Sequence, residues 1–402
     1  MGEWKKYKLK DVCTILGDGL HGTPIYDDKG EFFFINGNNL KDGRISIKND
    51  TKRVPYSEAN KYKKPLNNRT ILVSINGTIG NVAKYRDEKC ILGKSACFFN
   101  VKENVDLNFI YYVVANQQFK NTITQLATGT TIKNVSLETM RNYTFRIPPL
   151  SIQKQIGKIL SSLDDKIELN RRINDNLEQQ AQALFKLWFV DFEPFKDGKF
   201  VDSELGMIPE GWQVEELGNI TNSITEKVGK RTDIKVLSPV NTGELLLSEE
   251  YFTKQVYSKN LAKYIMVAPN DFSYNPARIN IGSIGMNTFD FSGCVSPVYV
   301  VFRCEKGYHH FFNIFKTTKN FKEEVNTRAI GGVRQTLSYK DFSLIKIVYP
   351  PKEVVEQFNK IYSHIMTLIK KNILENKRLH QTRDILLPKL MSGELKINDI
   401  NN

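Results

Sequence analysis

Few residues in this 402-residue sequence have the type and spacing that catalysis requires. Gly77-Thr-Ile-Gly80 and Gly331-Gly332 are too sparse for a dinucleotide-binding loop, and the chain has no GxxxxGK(S/T) segment for nucleotide hydrolysis. Glu394-Leu-Lys396 is an ExK triplet, but no upstream acidic residue completes a nuclease metal site. The five histidines lack the spacing of metal ligands. The sequence therefore predicts no catalytic and no metal-binding residue.

The chain is better suited to binding a polyanion. Its 57 Lys and Arg outnumber its 44 Asp and Glu, which gives a net charge of +13 and a pI near 9.2. This excess favours nucleic acid or an acidic membrane surface as a partner, although a merely basic protein would show it too.

Polar residues on Gly-containing loops are the candidates for contacts with DNA bases, because base edges are read by Arg, Lys, Asn, Gln, Ser and Thr side chains. Each candidate alone is also explained as a surface charge or a turn former, whereas the cluster favours binding. The candidates are His21, Thr23, Lys84, Lys94, Thr130, Thr131, Lys133, Asn275, Arg278, Arg328, Arg334 and Gln335.

An internal repeat arranges these candidates in two similar halves. Along the chain, the offset between matching segments falls from 208 to 202 residues, which indicates small differences in loop length. The matches are Trp4–Leu9 with Trp212–Leu217, Gly77–Gly80 with Gly282–Gly285, Ser136 with Ser338, and Pro148-Pro149 with Pro350-Pro351.

Each half begins with short β-branched and aromatic runs that are broken by Gly, Asn and Asp. Phe32–Ile35, Ile71–Ile75 and Val298–Phe302 have the composition of strands. Leu107–Phe119 and Tyr308–Glu324 have the pattern of helices. The predicted fold class is α+β, with two tandem globular domains.

A long helix is predicted after each Pro-Pro pair, because proline is favoured just ahead of a helix. Positions spaced alternately by four and three residues form a heptad seam in each helix, and both seams contain two asparagines, which favour one register at a cost in stability. The seam residues are Ile156, Leu160, Leu163, Ile167, Asn170, Asn174, Leu177 and Leu184, followed by Phe358, Tyr362, Ile365, Ile369, Asn372, Asn376, Leu379 and Leu386.

The two helices can bury their seams against each other as an antiparallel coiled coil, which would relate the two domains by a pseudo-two-fold axis. An intermolecular coiled coil that forms a homodimer is the alternative. Thirty helical residues make a rod of roughly 45 Å. Such a rod can span two DNA half-sites whose centres lie about 34 Å apart.

The aromatic segment after the first helix has two interpretations. Trp188, Phe189 and Phe192 can dock the end of this helix onto the following domain, or they can form a docking surface for a partner protein. The first interpretation is slightly favoured.

The first residues of the sequence, its apolar runs and its cysteines bear on the cellular compartment. Met1–Lys6 lacks the apolar stretch of a secretory signal, and no apolar run approaches the about 20 residues of a membrane span. The five cysteines form an odd set without a CxxC pair, which disfavours disulfides and zinc. We expect a cytoplasmic protein.

Several segments resemble type I restriction-modification DNA-specificity subunits, in the order found in that family. The resemblance covers essentially the whole chain. It is carried by Ile71–Ala83, Thr128–Ser136, Ile147–Gln155, Ile159–Asn170, Phe189–Pro194 and Leu387–Leu395.

The resemblance implies two target-recognition domains, each reading one half of a bipartite, asymmetric DNA site. It also implies two adenine-N6 methyltransferase subunits held by the helices, together with restriction subunits. S-adenosylmethionine, ATP and Mg²⁺ would bind only to those partners. The implied layout is a first recognition domain at 1–150, a spacer helix at 151–187, a linker at 188–211, a second recognition domain at 212–350, a second spacer helix at 351–388 and a tail at 389–402.

Catalysis by the chain itself is disfavoured. A subunit that methylates adenine would need an Asn- or Asp-Pro-Pro-aromatic loop beside the flipped base. The closest segment, Tyr274-Asn-Pro-Ala-Arg278, lacks the second proline and the aromatic residue, and we interpret it as a turn. The alternatives are the specificity part of another restriction-methylation enzyme, and a coiled-coil adaptor unrelated to DNA.

Overall fold

The computed structural model of the chain describes residues 4–48, 50–252, 254–329 and 336–396. They form two units, of which the first falls within residues 1–171 and 373–402 and the second within residues 172–372. Two of the predicted DNA-contact residues, Arg334 and Gln335, lie outside the described residues.

The first unit is built on short strands. They are β1 (Lys5–Lys8), β2 (Cys13–Asp18), β3 (Phe32–Ile35), β4 (Leu40–Lys41), β5 (Arg44–Ile45), β6 (Arg53–Val54), β7 (Thr70–Ser74), β8 (Val82–Lys84), β9 (Cys90–Leu92), β10 (Ala96–Val101) and β11 (Thr144–Ile147). An antiparallel sheet has the strand order β2-β10-β7-β8, and a smaller sheet has the order β6-β3-β9.

The second unit repeats this plan. Its strands are β12 (Phe200–Val201), β13 (Ile208–Pro209), β14 (Gln213–Glu216), β15 (Thr221–Ile224), β16 (Leu237–Pro239), β17 (Leu245–Leu247), β18 (Ile265–Val267), β19 (Phe272–Tyr274), β20 (Ile284–Met286), β21 (Gly293–Val295), β22 (Val300–Cys304) and β23 (Lys346–Tyr349). The sheet β15-β22-β19-β20 is antiparallel and corresponds, strand for strand, to the four-stranded sheet of the first unit.

Helices follow the same repeat. Short helices are α1 (Tyr56–Tyr62), α2 (Leu107–Ala115), α3 (Gln117–Gln125), α4 (Leu137–Asn142), α6 (Leu217–Ile220), α7 (Ser248–Tyr251), α8 (His309–Phe315), α9 (Lys319–Arg328) and α10 (Tyr339–Ser343). The two long helices are α5 (Leu150–Phe189) and α11 (Lys352–Ser392). Four 3₁₀ turns of the described chain are Leu9–Val12, Gly37–Asn39, Glu193–Phe195 and Ile279–Ile281.

The central sheet of the first unit is covered on both faces. Phe99 of β10 lies opposite Ile71 of β7, and both pack into the core that contains the side chains of α2. The next pair, Phe98 and Leu72, points to the other face and packs with Ile35. Side chains alternate between the faces of a strand, so a strand with two covered faces has an unbroken apolar run, here Ile71–Val73 in β7 and Ala96–Phe99 in β10.

A two-stranded ribbon precedes each long helix. β1 pairs with β11 in the first unit, and β14 pairs with β23 in the second. Each ribbon is followed by a Pro-Pro pair, after which α5 begins at Leu150 and α11 at Lys352. Proline fits here because its missing N–H and fixed φ suit the first helical turn.

In the first unit the segments of α5 and α11 run antiparallel. Asn170 Nδ2 donates to Asn376 Oδ1 at 2.9 Å, and Arg383 Nη1 donates to Asp164 Oδ1 at 2.7 Å. A later residue of α5 thus meets an earlier residue of α11. Because Asn170 is buried, its hydrogen bond to Asn376 favours this register over shifted ones.

The second unit contains its own antiparallel pair of helix segments. Asn372 Nδ2 donates to Asn174 Oδ1 at 2.8 Å. Further along, the rings of Phe189 and Phe358 lie 4.9 Å apart. Both asparagine pairs therefore join α5 to α11, as the repeat in the sequence indicates.

None of the predicted seam residues is exposed. Those that are buried are Ile156, Leu160, Ile167, Asn170, Asn174, Phe358, Tyr362, Ile365 and Ile369. Those that are half-buried are Leu163, Leu177, Leu184, Asn372, Asn376, Leu379 and Leu386.

The predicted α+β class is confirmed. Three details differ from the sequence-based layout, one of which is that the second predicted helical patch, Tyr308–Glu324, forms the two helices α8 and α9. The first predicted helical patch forms two helices, because α2 ends at Ala115 and Asn116 caps a new helix by accepting a hydrogen bond from the Gln118 N–H. In addition, α11 extends to Ser392, and Leu390 is fully buried in the first unit, so the predicted tail begins as helix.

His310 of α8 makes the stability of the second unit pH-dependent. Burial, reinforced by His309 and Lys370, lowers its pKa to about 4. The unfolded chain takes up this proton near the ordinary pKa of 6.5, so stability is lost as the pH falls from 6.5 towards 4. We expect this histidine to account for about 2 kcal/mol of the stability lost between pH 7 and pH 4.5.

Urea unfolding at the two pH values measures this effect. His310→Phe should remove that share of the loss, because Phe keeps a ring against Tyr362, 5.0 Å away, and does not titrate. An identical pH dependence in the wild type and the variant would assign the loss to other groups.

Candidate nucleic-acid interface

Loops of the first unit meet at one end of its four-stranded sheet. The Ile75 N–H, just after β7, donates to the Ser95 carbonyl at 2.9 Å. The Val135 N–H donates to the Ile75 carbonyl at 2.8 Å. The loop after β7, the turn before β10 and the loop before α4 are therefore neighbours.

The loop before α4 has a fixed base and an exposed tip. Thr128 and Asn134 exchange two backbone hydrogen bonds of 2.9 and 2.7 Å, and the Gly77 N–H donates to the Lys133 carbonyl at 3.2 Å. Gly129 has a φ of +104°, and a Cβ there would lie 2.4 Å from the Ile132 carbonyl oxygen. Only glycine fits that position. The predicted contact residues Thr130, Thr131 and Lys133 are all exposed on this loop.

The turn before β10 brings Lys94 beside the segment that contains His21. The Leu20 N–H donates to the Leu92 carbonyl at 2.7 Å, at the end of β9. Lys94, His21 and Thr23 are exposed. His21 Nε2 lies 2.7 Å from Asp18 Oδ2, which orients the imidazole at the end of β2. The structure thus gathers most predicted contact residues of the first unit on neighbouring loops.

The second unit has an equivalent loop end. The Leu337 N–H donates to the Pro276 carbonyl at 3.1 Å, as Val135 does to Ile75 in the first unit. Asn275 is half-buried, and its Oδ1 accepts the Ala277 N–H at 3.0 Å, which confirms a turn at this position. Arg278 is exposed on the same turn.

Lys84, which was also predicted to contact DNA, does not lie on these loops, and its ammonium group has partners within the first unit. Its Nζ donates to Asn108 Oδ1 at 2.6 Å and lies 4.5 Å from the centre of the Tyr111 ring. Burial lowers the pKa of Lys84, although Asp164 partly offsets this effect. The ammonium group is therefore part of the packing between β8 and α2.

Arg328 is also engaged within the protein. Its Nε donates to Glu324 Oε2 at 3.0 Å, one helical turn away on α9. Such half-exposed pairs are weak, so the interaction restrains Arg328 without making it unavailable to DNA.

The aromatic residues at the end of α5 belong to the second unit. Phe189 is 7% exposed and lies within 6.0 Å of the Trp212, Phe311 and Phe358 rings, measured between centroids. This burial favours the interpretation in which Phe189 docks the end of α5 onto the following domain over the one in which it contacts a partner. Trp188 and Phe192 are half-buried at the edge of the same core.

The backbone of Phe192 supports this structural role. Its φ is +54°, in the left-handed region that side chains other than glycine rarely adopt. The ring packs 5.3 Å from Trp212 and 6.1 Å from Phe200, between centroids. These contacts offset the backbone strain, so the segment docks α5 onto the second unit.

A charged cluster at the helix pair of the first unit was missed by the sequence analysis. Asp164 accepts hydrogen bonds from Tyr112 Oη at 2.6 Å and from Arg383 Nη1 at 2.7 Å. Arg171 and Asp42 form a second ion pair at 3.2 Å. The heptad pattern places Arg383 at a seam position but carries no signal for the partner, which lies 219 residues away in sequence.

No group of three or more His, Cys, Asp or Glu side chains that could hold a metal ion occurs in the part of the chain that the structure describes. Within the same residues, each helix is too short or too polar to cross a lipid bilayer.

Comparisons with known proteins find specificity domains and subunits of type I restriction-modification systems. A family model described as type I restriction modification DNA specificity domain matches residues 1–179. The chain is 26% identical to the type I restriction enzyme MjaIX specificity subunit of Methanocaldococcus jannaschii, in an alignment that covers 99% of this chain and 95% of the relative. It is 23% identical to the HindI specificity subunit of Haemophilus influenzae, with 98% and 100% covered.

The fold is also that of a solved relative. The crystal structure of a type I restriction-modification system S subunit from M. genitalium superposes with a TM-score of 0.56 at 18% identity, over 97% of this chain and 96% of that one. These similarities define the class as a repeated α+β protein with long helices. The first 179 residues match the DNA specificity domain of type I restriction-modification systems, and the whole chain is similar in sequence to specificity subunits of such systems.

Proposed function

We propose that this chain reads a bipartite, asymmetric DNA site and places the catalytic subunits of a type I restriction-modification complex on it. The observation that carries the proposal is the loop cluster that occurs once in each unit, at the same end of the equivalent sheet. The clusters expose different residues, Lys94, Thr130 and Lys133 in the first and Arg278 in the second. Different residues would read different half-sites.

The chain would act without catalysing a reaction itself. Two adenine-N6 methyltransferase subunits would bind along α5 and α11, and restriction subunits with nuclease and translocase activity would join them. S-adenosylmethionine, ATP and Mg²⁺ would be bound by those partners. The complex would work in the cytoplasm.

Sequencing of methylated DNA tests the proposal. Cells that express this chain with its methyltransferase should acquire one bipartite, non-palindromic N6-methyladenine motif, which is absent when the methyltransferase is expressed alone. A stable complex of both proteins that creates no new motif would contradict the proposal, and a palindromic motif would contradict the different roles of the two units.

A comparison of two lysines tests the assignment of the interface. Lys94→Ala should weaken binding of the complex to all DNA sequences alike and reduce the slope of log K against log salt by about 1, because one phosphate contact is lost. Lys84→Ala should leave this slope unchanged, because Lys84 donates to Asn108 inside the unit. Titrations at several salt concentrations measure both slopes. A reduced slope for Lys84→Ala alone would place the interface elsewhere.

A further inference from the structure

Two large aliphatic side chains are exposed at the ends of the sheets where the loops meet. Val298, in the turn before β22, is 70% exposed, and no large hydrophobic residue of the described chain is more exposed. Ile132, on the loop before α4, is 62% exposed. Single exposed aliphatic residues are common on soluble proteins. These two lie next to predicted contact residues, Ile132 between Thr131 and Lys133, and Val298 in the turn beside the loop that carries Arg278.

The loop geometry holds Ile132 outwards. The paired backbone of Thr128 and Asn134 closes the base of the loop, while Val135, three residues further, is buried. The closed base limits the conformations that the backbone of the loop can adopt before a ligand binds. Less conformational entropy is then lost on binding, so more of the gain from burying Ile132 remains as affinity.

Val298 is positioned by similar means. The Tyr299 N–H donates to the Ser296 carbonyl at 3.0 Å and closes the turn that carries Val298. The next residue, Val300, pairs with Tyr274 at the end of β19, so the turn lies beside the loop that carries Arg278. Tyr299 is close enough to Arg278 for this cation to oppose, in part, the rise in the pKa of Tyr299 that burial causes.

The neighbours of these side chains identify a ligand with both charge and apolar surface. Thr130, Thr131 and Lys133 flank Ile132 and suit phosphates and base edges. The apolar side chain of isoleucine forms no favourable interaction with such polar groups. It gains from the apolar parts of DNA, which are the 5-methyl group of thymine in the major groove and the face of a base at an opened step.

We propose that Ile132 in the first unit and Val298 in the second make apolar contacts with DNA bases, one contact in each half-site. This inference rests on the proposed function and extends it from polar to apolar recognition. It predicts that each residue affects a different half of the target.

The test uses the complex of the chain with its methyltransferase and the duplex found by methylation sequencing. Ile132→Ser and Val298→Ser should each weaken binding to this duplex about tenfold or more, which is the scale expected for loss of one buried aliphatic side chain. Scrambling a variant's own half-site should then cost it less affinity than it costs the wild type, while scrambling the other half-site should cost both proteins the same.

Matched controls remove exposed apolar side chains that lie outside the loops carrying Ile132 and Val298. Tyr56→Ser in the first unit and Met207→Ser in the second replace side chains that are 66% and 55% exposed. Both should bind the duplex within twofold of the wild type. If these controls lost as much affinity as the loop variants, then replacing any exposed apolar side chain by serine would weaken binding. That result would overturn the inference.

Two modified duplexes distinguish the apolar partners. Replacing thymine by uracil removes the methyl group and should weaken the wild type but not the corresponding variant if that group is the partner. 2-Aminopurine beside the contacted step should brighten with the wild type and not with the variant if a base face is the partner.

The binding experiment distinguishes failure of the apolar contacts from failure of the proposed function. Specific binding by the wild type with unchanged affinity for both serine variants would overturn the apolar contacts and leave the proposed function intact. A wild-type complex without preference for any bipartite duplex would contradict the proposed function itself.

Discussion

Replacing Phe189 by alanine should lower the free energy of unfolding of the second unit by about 3–5 kcal/mol, the range for removal of a core aromatic ring. The ring packs against Phe185, Phe311 and Phe358, with centroids 4.9–5.0 Å away. These neighbours belong to different helices and cannot all move into the space that the ring leaves. The cavity would therefore remain, and the free energy of unfolding would stay lower.

Tryptophan fluorescence during urea unfolding measures this loss in one unit. The chain has three tryptophans, of which Trp188 and Trp212 lie beside Phe189 and Trp4 lies in the first unit. A Trp4→Phe background restricts the signal to the second unit. Val190→Ala, at the next residue, is the control and should cost less than about 0.5 kcal/mol because Val190 is exposed. Equal costs for the two variants would show that the end of α5 is not part of this core.

The long helices could be predicted from sequence because their signals are local and periodic. The Pro-Pro pairs precede the first residues of α5 and α11, and the heptad spacing of Leu160, Ile167 and Asn174 selects one helix face. Because of the internal repeat, each of these signals occurs twice in the sequence. The end of α11 was harder to predict, because Leu390 is buried in the core of the first unit, most of which comes from residues far away in sequence.

The residues of the interface could be predicted only in part. Gly129 marks its loop in the sequence, because a turn followed by Thr-Thr-Ile-Lys needs glycine at the strained position. Lys84 shows the limit of such reasoning. A lysine at a strand end has the same appearance in sequence whether it faces solvent or Asn108, and only the packing of β8 against α2 decides between them. The assignment of the remaining residues to DNA stays a prediction.

The charged cluster around Asp164 shows why the sequence did not reveal how the globular part of the first unit is attached to the long helices. Tyr112 is buried, and its hydroxyl group has Asp164 as acceptor. Burial and the adjacent carboxylate of Asp164 raise the pKa of Tyr112, so the hydroxyl group remains a donor at every physiological pH. Arg383 approaches the same carboxylate from α11. One side chain of α5 thus joins α2 to α11.

Asp164→Ala should therefore destabilise the first unit by about 2–4 kcal/mol, because it leaves the buried hydroxyl donor of Tyr112 without its acceptor and leaves the half-buried guanidinium of Arg383 with only the exposed carboxylate of Asp384. Unfolding followed by Trp4 fluorescence, in a background without the other two tryptophans, measures the loss. Asp165→Ala, which removes an exposed neighbouring carboxylate, should cost less than about 0.5 kcal/mol. In a double-mutant cycle with Arg383→Met, the coupling energy should exceed about 1 kcal/mol. A coupling energy near zero would show that solvent screens the ion pair and that the hydroxyl group of Tyr112 alone accounts for the loss.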